Sequence, residues 1–498
     1  MDNLQLSVLI PLIVYFAGVY LIGIYAMKYV TKARAAAEGS EEGFLDEYLL
    51  GGRDLGGFVL AMTLVATYLS AGSFIGGPGT AYTQGLGWVF LAMAQMPTGY
   101  FTLSILGKKF AIVARKINAL TLNDFIRERY QSKPLVIITS LSVTFFFIAA
   151  MAAQWIGAAR LLQGSTGIPY LTALIFFAIT VIIYTTIGGY RAVVLTDTLQ
   201  GVVMTLGTAA LFVGAIKAGG GITNIINSMQ QVDPGLISPF GVTDGFMTKA
   251  WVTSFWVLVG FAIVGLPSVS SRAMSYKDCK SLNRGIKYGT VVSMILLLGM
   301  HLVGAMGVTL VSGVESGDLV IPTLTVQLFP NWIAGIILAG PLAAVMSTVD
   351  SQLLIVVGAM VNDLYANYIR PEAKKDSQKM SKISFIATLI IGVIIFIIAK
   401  NPPELMVWLN LYANAGLIST FLWPTILGLY WKKANKEGAI ASMVVGIASY
   451  IIFSYKWPRP LGMHTIVLPL ILSFIAFVLV SNMTEEPPED VIKTFWGI

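Results

Sequence analysis

The chain has 498 residues, of which 56% are hydrophobic and only 11% charged, and its mean hydropathy is +0.78. That composition excludes an ordinary soluble globular domain and points to a protein that crosses a bilayer many times. A formal net charge of +7 would by itself allow a nucleic-acid partner, but the placement of the basic residues makes that reading unnecessary.

Thirteen apolar runs approach or exceed the roughly 20 residues that a helix needs to span the hydrocarbon. The first seven lie at about Leu6 to Val30, Leu55 to Ala81, Leu86 to Leu106, Leu135 to Gln163, Tyr170 to Ile187, Val194 to Ile216 and Ala250 to Val269. The other six lie at about Gly289 to Leu310, Asn331 to Val361, Ile383 to Ala399, Pro403 to Tyr430, Ala439 to Phe453 and Thr465 to Val480. Their length excludes a transmembrane β-barrel, whose strands alternate over about ten residues. The expected fold is an all-α polytopic membrane protein. The first run starts close to Met1 without a basic stretch before it or a small-residue cleavage site after it, so it reads as a retained helix.

Lys and Arg fall on one side of these runs. The loops after runs 1, 3, 5, 7, 9 and 11, with the segment after run 13, hold 26 of them, and the opposite side holds 6. The basic side is therefore expected to be cytoplasmic, with the N-terminus outside and the C-terminus inside, in an inner (plasma) membrane. Cys279 is the only cysteine, and His301 and His464 stand apart from any ligand-spaced cluster. No nucleophile with a base and no metal cluster emerges, which disfavours an enzyme. No organic cofactor, no nucleic acid and no obligate protein partner are expected.

Two runs carry breaks. Ser70 to Gly79 in the second run holds four glycines and Pro78, and the seventh contains Gly265-Leu266-Pro267. Gly and Pro weaken the helical ladder, and free carbonyls at membrane depth persist only where protein, water or an ion satisfies them. The two runs are five apart, so they occupy matching places in two five-helix halves, the pattern of an inverted-repeat secondary transporter. In the ninth run, Pro341 to Leu354 places Ser347, Thr348, Asp350, Ser351 and Gln352 inside an apolar helix. An Asp there costs on the order of 2.5–3.5 kcal/mol on insertion scales, so the group marks a polar route or a bound cation.

With these pieces on the page, the chain resembles the sodium:solute symporter family over nearly its whole length. The resemblance rests on Leu60 to Tyr82, Gly85 to Trp88, Thr121 to Asp124, Gly188 to Ala192, Thr196 to Gly201 and Pro341 to Leu354. Ser275 to Asp278, Asp318 to Leu324 and Pro402 to Asn410 are more specific to the branch of that family that carries pantothenate. The resemblance implies a LeuT-like core in runs 2 to 11. The expected units are 1–54 (an extra helix and loop), 55–218 and 219–432 (the two repeats), and 433–498 (two further helices and a short tail).

It also implies sodium as the coupling ion, held by the backbone carbonyls of Ala66, Leu69 and Ala344 and the hydroxyls of Ser347 and Thr348. Neutral oxygens suit a hard cation that must be released on each cycle. The expected partners are thus sodium, a small solute and the lipid bilayer. The solute is expected to be pantothenate, with proline or a short-chain carboxylate as the alternative. Ser73, Gln95, Trp256 and Ser351 are the candidate solute contacts. Asp197, at a family position, is either on the ion pathway or a helix-start residue. Asp350 departs from the family pattern, and two roles stay open: lining the inward cavity, where it would concentrate cations or support a second ion, or facing another helix, protonated or paired with a base.

Overall fold

The computed structural model describes residues 5–36, 53–119, 121–242, 247–375 and 377–497. Residues 37–52, most of the loop expected after the first run, lie outside the described residues. Among the described residues the fold is helical throughout, with one isolated bridge between Leu55 and Tyr276. The principal helices are α1 (Leu6–Ala36), α2 (Gly57–Tyr68), α3 (Gly77–Gln84), α4 (Lys133–Thr166), α5 (Tyr170–Ala218), α6 (Lys249–Trp256) and α7 (Pro267–Met274). They continue with α8 (Cys279–Leu310), α9 (Asn331–Val357), α10 (Ser377–Ala399), α11 (Met406–Tyr430), α12 (Lys436–Lys456) and α13 (Val467–Met483).

Among the described residues, seven helices are long and apolar enough to cross a membrane alone, or up to ten if each of three bent pairs counts as one span. The thirteen expected spans are not reached on that criterion. Tyr170–Ile183 and Val467–Met483 are shorter apolar helices, and α11 carries Asn410, Asn414 and Pro424 within its length. The turn expected between the fifth and sixth runs is also absent. Gly188 to Arg191 keep helical hydrogen bonding, so α5 runs unbroken for 49 residues.

Both breaks read from the sequence are present. α2 ends at Tyr68, Leu69 turns extended (φ −80°, ψ 115°), and a π-helical turn at Gly72–Gly76 leads into α3, with a bend of 71°. In the other half the chain passes from α6 through a π turn (Val257–Phe261) and a 3-10 turn (Ala262–Gly265). Leu266 is then extended, and α7 starts on Pro267 with a bend of 47°. Proline suits that first position because its missing N–H would be unpaired there anyway. A third bend, 46° between Leu86–Ile105 and the basic helix Lys109–Lys116, falls at Gly107, a lone glycine with no proline beside it.

α9 lies at the centre, in contact with α1, α2, α4 and α5, and 83% of its apolar window is buried. At the periphery, Val14 and Leu21 of α1, Ile179 of α5 and Ile397 of α10 stand exposed, which in a membrane protein is the lipid-facing surface. The polar residues of α9 thus face other helices.

Candidate functional site

The break after α2 frees a carbonyl. The i+4 partner of Ala66 is Ser70, which lies past the end of the helix, and α9 supplies the replacement. Ser347 Oγ donates to Ala66 O at 2.7 Å and to its own helix at Ala343 O (2.9 Å). Thr348 Oγ1 lies 3.5 Å from Ala66 O, 3.4 Å from Thr67 O and 2.9 Å from Ala344 O. Four of the five predicted sodium ligands therefore converge: Ala66, Ala344, Ser347 and Thr348. Leu69 sits at the extended residue of the same break and is fully buried. Two mobile hydroxyl protons on a cluster of carbonyl oxygens can rotate away, leaving a dry nest of neutral oxygen donors suited to a hard monovalent cation.

Beside this nest lies a central cavity of about 790 Å³, counting its open mouth, walled by both breaks and by α8, α9 and α11. Ser73 and Gln95 line it, and Tyr68 Oη donates to Gln95 Oε1 at 2.9 Å. Trp256 does not. It is 40% exposed and packs against Phe90, while Trp88 and Phe255 hold the aromatic wall instead. The helical turn carries residue 256 outward and residue 255 inward, a choice that a lone Trp in the sequence does not reveal. No Asp, Glu, Lys or Arg is among the described residues lining this cavity.

Ser351 lies on a different surface. A second cavity of about 670 Å³, counting its open mouth, lies on the basic side and is lined by Thr121, Asn123, Pro267, Arg272, Ser351 and Asp363, among others. Arg272 Nη2 donates to Ser351 Oγ at 2.6 Å and lies 3.3 Å from Asp197 Oδ2, which also accepts from Thr63 Oγ1 at 2.6 Å. This network joins α2, α5, α7 and α9, and Asp197 and Arg272 are 0% and 1% exposed. Arg272 lies just past the end of the expected seventh run at Val269. It is the buried partner of Asp197, 75 residues away.

Among the described residues Asp350 takes no base. Its Oδ1 accepts from Thr185 Oγ1 at 2.8 Å, its Oδ2 is buried with no hydrogen-bond partner among the described residues, and it lines neither cavity. It faces a neighbouring helix, and the arginine pairing allowed for it belongs to Asp197. Three residues lining the central cavity, Trp88, His301 and Asn410, were not singled out as contacts from sequence. Asn410 and Asn414, one turn apart in an otherwise apolar helix, were the available signal.

A fold with two broken helices, an oxygen nest at the first break and an uncharged cavity next to it defines a membrane transporter of the LeuT-like class. The sequence matches the profile of the sodium:solute symporter family over residues 48–446. It is 47% identical over 495 residues to the sodium/pantothenate symporter of Escherichia coli K12, covering 99% of both chains. It is 46% identical to the sodium/pantothenate symporter of Haemophilus influenzae (97% and 98% covered) and 30% identical to an osmoregulated proline transporter of Bacillus subtilis (99% and 98%). Its structure is similar to that of a Na+-coupled sialic acid symporter in a substrate-bound outward-open state (TM-score 0.77, 20% identity, 96% and 98% covered). The chain belongs to the sodium:solute symporter family.

Proposed function

We propose that this protein couples inward movement of sodium to uptake of pantothenate by alternating access across the plasma membrane. The observation that carries the ion half is the Ala66 carbonyl, released by the break and met by two hydroxyls of α9. A sodium ion there would be held by Ala66, Leu69, Ala344, Ser347 and Thr348, pinning the broken helix to α9 while solute occupies the central cavity. The naming of relatives at 46–47% identity over nearly the whole chain supports pantothenate. A cavity lined by Tyr68, Ser73, Gln95, Asn410 and Asn414 suits a solute with a carboxylate, an amide and two hydroxyls.

The two five-helix repeats, 55–218 and 219–432, would rock about this fixed site, with 1–54 and 433–498 outside the core. The Asp197–Arg272 pair would close the basic, cytoplasmic side. For sodium and solute to leave inward, α7 and α5 must part, and the pair must exchange partners as they do. Asp197, freed in that step, lies on the ion pathway.

Energetics constrain the coupling. At about −100 mV each inward charge gains roughly 2.3 kcal/mol, and a tenfold sodium gradient adds roughly 1.4 kcal/mol. One sodium with a monoanion moves no net charge and supports only about tenfold accumulation, so strong accumulation calls for more than one sodium or for trapping inside.

The test is uptake of labelled pantothenate, proline and acetate into proteoliposomes with sodium, potassium or choline outside. Pantothenate uptake that needs sodium is expected. Equal rates with potassium would overturn the ion assignment, and preference for proline or acetate would overturn the solute.

A further inference from the structure

Two glycines of the break each make room for one polar side chain, and the hydrogen bonds of those side chains fix which atom meets the solute. A Cβ on Gly77 would run into His301 Nε2, and a Cβ on Gly72 would lie 2.7 Å from Asn410 Nδ2. His301 and Asn410 both line the central cavity and are 2% and 7% exposed.

The other nitrogen of His301, Nδ1, is 2.8 Å from Leu297 O. A carbonyl only accepts, so Nδ1 carries the proton. With no acidic side chain among the described cavity-lining residues to hold an imidazolium, the ring is neutral, and Nε2 presents a lone pair. It is an acceptor with no donor from the protein among the described residues.

Asn410 is fixed by a chain that starts on the backbone. Ala71 N donates to Gln154 Oε1 at 2.8 Å, so the amide of Gln154 points its nitrogen away, and Gln154 Nε2 donates to Asn410 Oδ1 at 3.1 Å. The nitrogen of Asn410 is therefore the atom left facing the cavity. Gln154, 0% exposed, is a positioning residue.

We infer that the central cavity binds its solute in one orientation, a hydroxyl donating to His301 Nε2 and the carboxylate accepting from Asn410 Nδ2. The reverse arrangement sets a carboxylate against an imidazole lone pair and leaves the Asn410 amide nitrogen without the anion. Gly72 and Gly77 are five residues apart, roughly 7 Å along a helix, so the solute must carry its two ends on that scale. Acetate cannot bridge the two groups, and proline holds its donor and its carboxylate too close together. The inference rests on the pantothenate reading and adds which end goes where.

The test measures inhibition constants against labelled pantothenate uptake in proteoliposomes. The competitors are unlabelled pantothenate, its analogues lacking one or the other hydroxyl, and its primary carboxamide. His301→Phe is expected to raise the constant for pantothenate about tenfold and that for one dehydroxylated analogue less than twofold. His301→Asn, which keeps a polar group in the space, should show the same selectivity at smaller size. Asn410→Asp is expected to weaken pantothenate at least thirtyfold, because two carboxylates then meet, and the neutral carboxamide less than threefold. Gln154→Leu should raise KM with kcat retained, and add nothing in an Asn410→Ala background. Parallel shifts for all competitors in the His301 and Asn410 variants would overturn the orientation. Lack of sodium-dependent pantothenate uptake by the unmodified protein would instead overturn the functional reading beneath it.

Discussion

The central cavity and the basic-side cavity share a helix yet are built from opposite chemistry. Thr348 and Gln352 of α9 face the first, whose described lining has no charged side chain, while Ser351, Leu354 and Ile355 face the second, which holds Arg272 and Asp363. Within one turn of helix the protein passes from neutral oxygens and amides to buried charges. A site that binds and releases an ion and a solute on every cycle benefits from weak, neutral donors, since a fixed carboxylate would hold the cation too firmly. A contact that must keep four helices together until a defined moment benefits from a buried pair, because separating the charges without new partners is costly.

The largest effect should come from breaking the pair. Arg272→Leu leaves Asp197 buried with only Thr63 to satisfy it, and loss of one member of a buried pair costs about 3–5 kcal/mol. Thermal unfolding of purified protein should show it, and Asp197→Leu combined with Arg272→Leu should recover most of the loss. Equal destabilisation by the single and double variants would mean that the two charges do not act as a unit.

A buried carboxylate that lines neither cavity sharpens the point. Asp318, in the segment between α8 and the helix Val320–Leu328, is fully buried, and Met406 N donates to its Oδ2 at 3.0 Å. Burial pushes its carboxyl up to about 6, against the opposing pull of the Met406 N–H and of Arg160. The folded state thus holds a proton that the unfolded chain has released. Stability is full below about pH 4, falls as the pH rises to about 6 and stays level above, a loss of roughly 3 kcal/mol. Asp318→Asn should flatten that slope in unfolding measured from pH 4 to pH 7.

The neutral site predicts a loss of function with the fold retained. Ser347→Ala with Thr348→Ala removes both hydroxyls from the Ala66 carbonyl, and the sodium concentration for half-maximal uptake should rise about 100-fold, roughly 2.8 kcal/mol. Uptake retaining its sodium dependence would remove the nest from the mechanism.

The parts legible in the sequence were those with local causes. Gly72, Gly76, Gly77 and Pro78 mark a break wherever they stand in an apolar run, and Pro267 begins a helix because it cannot continue one. Ser347 and Thr348 lie on one helix and announce themselves by polarity. The partners that join distant segments were not legible: Asp197 meets Arg272 across 75 residues and Gln154 meets Asn410 across 256. Which of Phe255 and Trp256 faces inward depended on how α6 is turned against its neighbours, and hydropathy carries no phase for two adjacent aromatic residues. The 46° bend before Lys109 falls at Gly107, and a lone glycine without a proline beside it does not set a bend apart from a close helix contact.

Asp350 is the residue on which the comparison turns most finely, because it is a buried carboxylate on α9 that belongs to neither cavity. Thr185 satisfies one oxygen, and among the described residues nothing satisfies the other. Asp350→Asn keeps an acceptor toward Thr185 and removes the charge, so the variant should be as stable as the parent or more stable by about 1 kcal/mol. Half-saturating sodium and solute concentrations should move less than twofold, in contrast to Asp197→Asn, which leaves the Arg272 guanidinium buried opposite a neutral group. A tenfold rise in the sodium requirement of Asp350→Asn would return this carboxylate to the ion's route and show that the charged region reaches further along α9 than its cavities do.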